Sequence, residues 1–125
     1  MEIHLKTDDS IRLTAREAGF SFEPGEAASL SPFHLLAASL ATCTFSVLAS
    51  YGDQAGIPVE GLAIDVDWEI GGDPYRVTRM EMALEWPSLP ESRTEAARRV
   101  AAQCTVHHTL EEGSHVETRV RDPVG

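Results

Sequence analysis

The stretch that most constrains this chain is SPFHLLAASLATCTFSVLASYG, Ser31 to Gly52, which is apolar or small on nearly every side. Ser31 can accept a hydrogen bond from a first-turn amide, and Pro32 sits where a helix does not need its N–H. A helix apolar all round is expected to be buried all round. It makes a poor membrane span, because His34 and six Ser or Thr residues interrupt it and no basic flank anchors it. Its small residues, Ala37, Ala38, Ser39, Ala41 and Thr42, allow close backbone approach. The segment therefore predicts a central helix of a soluble domain, ending near Tyr51 and carrying Cys43 near its middle.

Short strands precede it. Ile3 and Leu5, Ile11 and Leu13, and Phe20 and Phe22 alternate, separated by Asp8-Asp9-Ser10 and Gly19. After Gly56-Ile57-Pro58, a longer strand alternates through Leu62, Ile64, Val66, Trp68 and Ile70. Gly71-Gly72-Asp73-Pro74 turns the chain, and the return strand changes phase between Val77 and Met80, predicting a bulge near Thr78-Arg79. Ser88-Leu89-Pro90-Glu91 has the form of a capping box, with Ser92 and Glu95 as a second helix start. Ala97, Val100, Ala101 and Cys104 then recur at helical spacing, placing Cys104 on a buried stripe and leaving Arg93, Glu95, Arg98 and Arg99 solvated. Gly113 ends the next turn, and His115 to Arg121 alternates as a last strand. A single α+β domain over 1–125 is expected, since 125 residues suffice for one core.

A net charge of −10 argues against nucleic acid or an anionic membrane as partner, because phosphate contacts need clustered Lys and Arg. The start Met1-Glu2-Ile3-His4 lacks a basic region followed by an apolar run, so a cytoplasmic setting is the default expectation. There the two cysteines, Cys43 and Cys104, are either inert core residues or a redox pair. A reactive pair needs a cation to hold the thiolate; Arg12, Arg16, His107 and His108 are the candidates. Zinc bound by Cys43, Cys104, His107 and His108 competes weakly, since the close Cys-Cys and His-His spacings of structural sites are absent.

SPFHLLAASLATCT and AAQCTVHHTL, with the Trp68/Tyr75 hairpin between them, resemble the OsmC/Ohr family of thiol-dependent peroxidases. There a Pro-led helix carries the first cysteine eleven residues after the proline, as Pro32 and Cys43 are spaced here. The second lies in a Cys-Pro-Val-His-like motif; Cys104-Thr105-Val106-His107 matches, with Thr in place of Pro. The resemblance implies an intertwined homodimer, with antiparallel sheets packed around the buried central helix and a second cysteine-bearing helix.

It also implies organic hydroperoxide reduction without a cofactor or metal. Cys43 would become a sulfenic acid, Cys104 would resolve it, and an external dithiol of lipoyl type would restore both thiols. An N-terminal arginine would support the thiolate, Arg16 first and Arg12 second, with His107 a further candidate. Phe33, His34 and Leu40 would line the substrate. The family's carboxylate after the proline is absent, since Phe33 and His34 stand there, and Glu17 or Glu26 would be its candidate replacements. A non-enzymatic relative holding a small hydrophobic ligand in the dimer cleft is the alternative.

Overall fold

Ser31 opens the long helix as expected: its Oγ accepts from the His34 amide at 3.2 Å and lies 2.7 Å from His34 Nδ1. The structure, a computed structural model, describes residues 2–7, 10–15, 20–22 and 31–122, with side chains from Ser31 onward. Two compact units are present, Met1–Leu36 and Ala37–Gly125.

In the first unit β1 (Glu2–Thr7), β2 (Ser10–Ala15) and β3 (Phe20–Phe22) form an antiparallel sheet in that order. Ile3 pairs with Leu13, Leu5 with Ile11 and Leu13 with Phe22, so the alternating apolar residues do mark strands. Arg12 lies within β2, whereas Arg16, Glu17 and Glu26 fall outside the described residues. The unit ends in the first turn of α1 (Pro32–Ala55).

The second unit holds the rest of α1, the hairpin β4 (Ala63–Gly71) and β5 (Arg76–Glu85), a 3-10 turn at Glu91–Arg93, α2 (Thr94–Ala101) and α3 (Thr105–Glu112). Glu69 pairs with Arg79 and Ile70 with Val77, so Thr78 is the bulged residue. The core gathers Leu48 of α1, Ile57, Leu62, Trp86, and Ala97 and Ala101 of α2. Trp86 is oriented twice over, by its indole N–H donating to Pro58 O at 2.8 Å and by the edge of Tyr51.

Five expectations change. Gly52 does not end α1 but lies inside it, buried, and an added Cβ there would come within 2.8 Å of Val59 Cγ1. Within this chain α1 buries one stripe, Ala37, Leu40, Thr44, Leu48 and Gly52, because one hairpin and two short helices cannot surround 24 residues. By length and composition α1 could cross a membrane; its buried stripe instead contributes to the core with the hairpin end and α2.

Neither proposed cap starts α2, which follows the 3-10 turn without a side-chain cap. Cys104 is buried as its spacing suggested, yet α2 stops at Ala101 and Cys104 instead caps α3. Finally, His115–Arg121 is not a strand: Val116 and Val120 are 80% and 91% exposed. Alternation alone cannot satisfy strand N–H and C=O groups, and no described strand of this chain pairs with that segment.

Candidate functional site: a thiol pair at a helix N-terminus

Cys43 projects from the middle of α1, half-buried, where neighbouring backbone amides are already committed to helix hydrogen bonds. Its donors must come from elsewhere. The groups that favour its thiolate lie at Cys104 and just after it: the Cys104 thiol and the backbone N–H groups of Val106 and Thr105. The Cys104 bond does most to hold the Cys43 pKa below the ordinary thiol value of 9.0. The Val106 and Thr105 amides act in the same direction, and partial burial opposes them.

Cys104 is fully buried and has an extended backbone, with ψ 131. Its sulfur accepts from the His107 amide at 3.4 Å, as an N-cap oxygen would. The first intrahelical bond runs from His108 N–H to Cys104 O at 3.1 Å. The amides of Thr105, Val106 and His107 therefore have no carbonyl to bond within α3; the His107 amide ends on the Cys104 sulfur, and those of Val106 and Thr105 favour the Cys43 thiolate. No acidic residue sits in the first turn of α3 to offset its positive end. A thiolate at such an end is stabilised and nucleophilic. Both cysteines are free thiols.

This geometry rearranges the sequence expectations. Cys43 and Cys104 are brought together, but His107 reaches the pair through its backbone, while its imidazole Nε2 lies 3.4 Å from Glu111 Oε1. His108 is exposed. Leu40, three residues before Cys43, belongs to the buried stripe. Phe33 and His34 lie in the first turn of α1, in the other unit, where His34 partners Ser31. Among the described residues no group of three His, Cys, Asp or Glu could hold a metal ion. A shallow groove of about 310 Å³ between Phe45 of α1 and Ile64 of β4 does not include either cysteine.

Sequence reasoning missed the amide donors. The available signal was Gly113: two turns counted back from it begin a separate helix at Thr105, immediately after the cysteine.

The family model for OsmC-like protein matches residues 25–119. The chain belongs to the OsmC-like family. No protein of curated function matches the sequence significantly. Solved structures similar to this OsmC-like chain include an OsmC-like protein from Mycoplasma pneumoniae, with TM-score 0.70 and 19% identity over 88% of this chain and 84% of that one. A second, from Psychrobacter arcticus 273-4, is described provisionally as an osmotic stress induced and detoxification response protein; it gives TM-score 0.75 and 21% identity over 86% and 85%. A third, an OsmC-like hydroperoxide resistance protein from Jannaschia sp. CCS1, gives TM-score 0.60 and 18% identity over 93% and 84%. At these identities the likeness shows the α+β fold of OsmC-like proteins.

Proposed function

We propose that this OsmC-like protein is a thiol-dependent peroxidase that reduces organic hydroperoxides to alcohols. The observation that carries the reading is the Cys43–Cys104 contact at the amide end of α3, with the Cys43 pKa lowered. The name of the Jannaschia neighbour points to the same chemistry.

In the first step the Cys43 thiolate attacks the terminal oxygen of R–O–O–H. An S–O bond forms, the O–O bond breaks, and the alkoxide leaves and takes a proton to become the alcohol. Cys43 is then a sulfenic acid, oxidised by two electrons. Cys104 attacks that sulfur; an S–S bond forms, the S–O bond breaks and water leaves. An external dithiol of lipoyl type reduces the disulfide by two exchanges and becomes a cyclic disulfide itself. Arg16, with Arg12 as second choice, is the proposed side-chain cation for the thiolate, and Phe33, His34 and Leu40 the proposed substrate lining. His107 acts in this scheme through its amide. The scheme takes 1–125 as one OsmC-like domain, working in the cytoplasm as a homodimer whose partner covers the exposed faces of α1.

Titration of the reduced protein with cumene hydroperoxide tests this. Both free thiols should disappear per equivalent of peroxide, with cumyl alcohol formed and a Cys43–Cys104 disulfide found by peptide mass spectrometry. Thiols unchanged by stoichiometric peroxide would sink the reading and favour a ligand-binding relative.

A further inference from the structure

Hydroxyls in the helices of the second unit follow a common pattern. Thr42 Oγ1 donates to Ala38 O at 2.7 Å, Ser46 Oγ to Thr42 O at 3.0 Å and Thr109 Oγ1 to Thr105 O at 2.8 Å, each reaching four residues back. Thr44 breaks the pattern. Its Oγ1 leaves α1 and donates to Met82 Sδ on β5 at 3.5 Å. Thr44 is fully buried and a thioether is a weak acceptor, so this hydroxyl carries a cost that a valine of the same shape would not. Met82 is half-buried and stands opposite Val66 on β4. Met80 is also half-buried, opposite Trp68, but among the described residues no hydroxyl bonds its sulfur.

We infer that Met82 is a site of reversible modification by hydroperoxides, its sulfoxide oxygen received by the Thr44 hydroxyl. The Met82 thioether attacks the terminal oxygen of R–O–O–H. An S–O bond forms, the O–O bond breaks, and sulfur is oxidised by two electrons. The leaving alkoxide takes the proton from the transferred oxygen and departs as the alcohol. A sulfoxide oxygen accepts strongly, so the Thr44 O–H that holds the thioether weakly holds the product well. Because that O–H approaches from one side, it favours oxygen on one face of the sulfur, and one sulfoxide epimer should dominate. The hydroxyl also gives the new polar group a partner, so the fold tolerates it and a thiol-dependent sulfoxide reductase can reverse it. Nothing in this step uses Cys43.

The test treats the reduced protein with excess tert-butyl hydroperoxide and follows Met82 and Met80 sulfoxide by peptide mass spectrometry. Epimers are distinguished by the two methionine sulfoxide reductases, each specific for one of them, applied to the digest. Met82 sulfoxide should be mainly one epimer. Thr44→Val should slow its formation by about two- to tenfold, the effect of one hydrogen bond, and yield both epimers, with Met80 unaffected. Thr44→Ser keeps the hydroxyl and should restore both the rate and the epimer preference. Equal epimers in the natural sequence, or a Met82 rate unchanged in Thr44→Val, overturn the inference.

If Thr44→Val fails to fold, the natural sequence decides by comparison with itself in urea. The folded protein should give one Met82 epimer in excess and the unfolded chain both; equal ratios in the two states overturn the inference. Selective Met82 oxidation in a protein whose thiols survive peroxide would uphold this inference while refuting the peroxidase reading. Thiols consumed with Met82 untouched by excess peroxide would do the reverse.

Discussion

The two cysteines sit on opposite kinds of helical position. Cys43 lies near the middle of the 24-residue α1, whereas Cys104 caps the 8-residue α3. Mid-helix, the backbone has nothing to offer a side-chain anion, because each amide already bonds the carbonyl four residues back. At an N-terminus the first amides are unclaimed by helix carbonyls, and here the His107 amide bonds the Cys104 sulfur. In the proposed scheme a long helix thus supplies the attacking atom and a short one the field around it. The division also explains their exposures: Cys43 is half-buried and open to a reactant, while Cys104 is sealed at 0% exposure.

The sharpest way to break this comparison is to remove each sulfur in turn. Cys43→Ser should reduce peroxide consumption to the uncatalysed background, a loss of several orders of magnitude. Cys104→Ser should retain one round of reduction and leave a Cys43 sulfenic acid that dimedone traps, without turnover. Dimedone adduct on Cys104 in Cys43→Ser, with peroxide still consumed, would reverse the assigned roles.

The placement of the two thiols was legible in the sequence only as far as local spacing carries. Pro32 to Cys43 fixed the position of one thiol on its helix, and the phase change between Val77 and Met80 located the bulge at Thr78. The helical interval from Ala97 to Cys104 predicted burial correctly, but periodicity could not show the break at Ala102-Gln103. There α2 closes with the Ala102 amide on Arg98 O and the Gln103 amide on Val100 O, and the chain re-enters helix from an extended Cys104. The new N-terminus created by that break is what turns two cysteines into a site. His115–Arg121 failed for a different reason: alternation records a face, and a strand also requires a partner that no local pattern names.

The platform under Cys43 can be challenged at Gly52. In an ordinary helix interior, Gly→Ala stabilises by about 1 kcal/mol. Here an added Cβ would lie 2.8 Å from Val59 Cγ1, 2.9 Å from Ile57 O and 3.0 Å from Trp86 Cζ2. One of those neighbours is backbone and cannot rotate away, so overpacking at roughly 1–3 kcal/mol outweighs the propensity gain. Gly52→Ala should therefore lower the urea midpoint. A raised midpoint would mean that the Ile57–Val59 segment yields easily and that α1 is a less rigid support than the packing of Trp86 suggests.

A smaller effect probes the cap itself. Cys104→Ala removes the sulfur that accepts from His107 N–H and leaves space in a fully buried position, whereas Cys104→Ser keeps an acceptor of smaller size. Loss of a helix cap costs about 1 kcal/mol, so Cys104→Ala should unfold at lower urea than Cys104→Ser. Equal midpoints would mean that the Cys104 sulfur matters to α3 as bulk and not as an acceptor.

The smallest expected effect has the most specific sign. The folded protein holds the Cys43 pKa below 9.0, mainly through the Cys104 thiol and then the Val106 amide, so folding favours the thiolate. That stabilisation is complete above the unfolded thiol's pKa, where both states are ionised, and is lost as pH falls through the lower folded value. Urea denaturation under reducing conditions should therefore show the stability of the unmodified protein, relative to Cys43→Ser, rising between neutral pH and pH 9.0. Partial burial of the sulfur opposes the gain, which keeps the change modest. A difference that stays flat or falls over that range would show that the α3 amides do not favour the anion, and Cys43 would then owe its placement to packing on α1 alone.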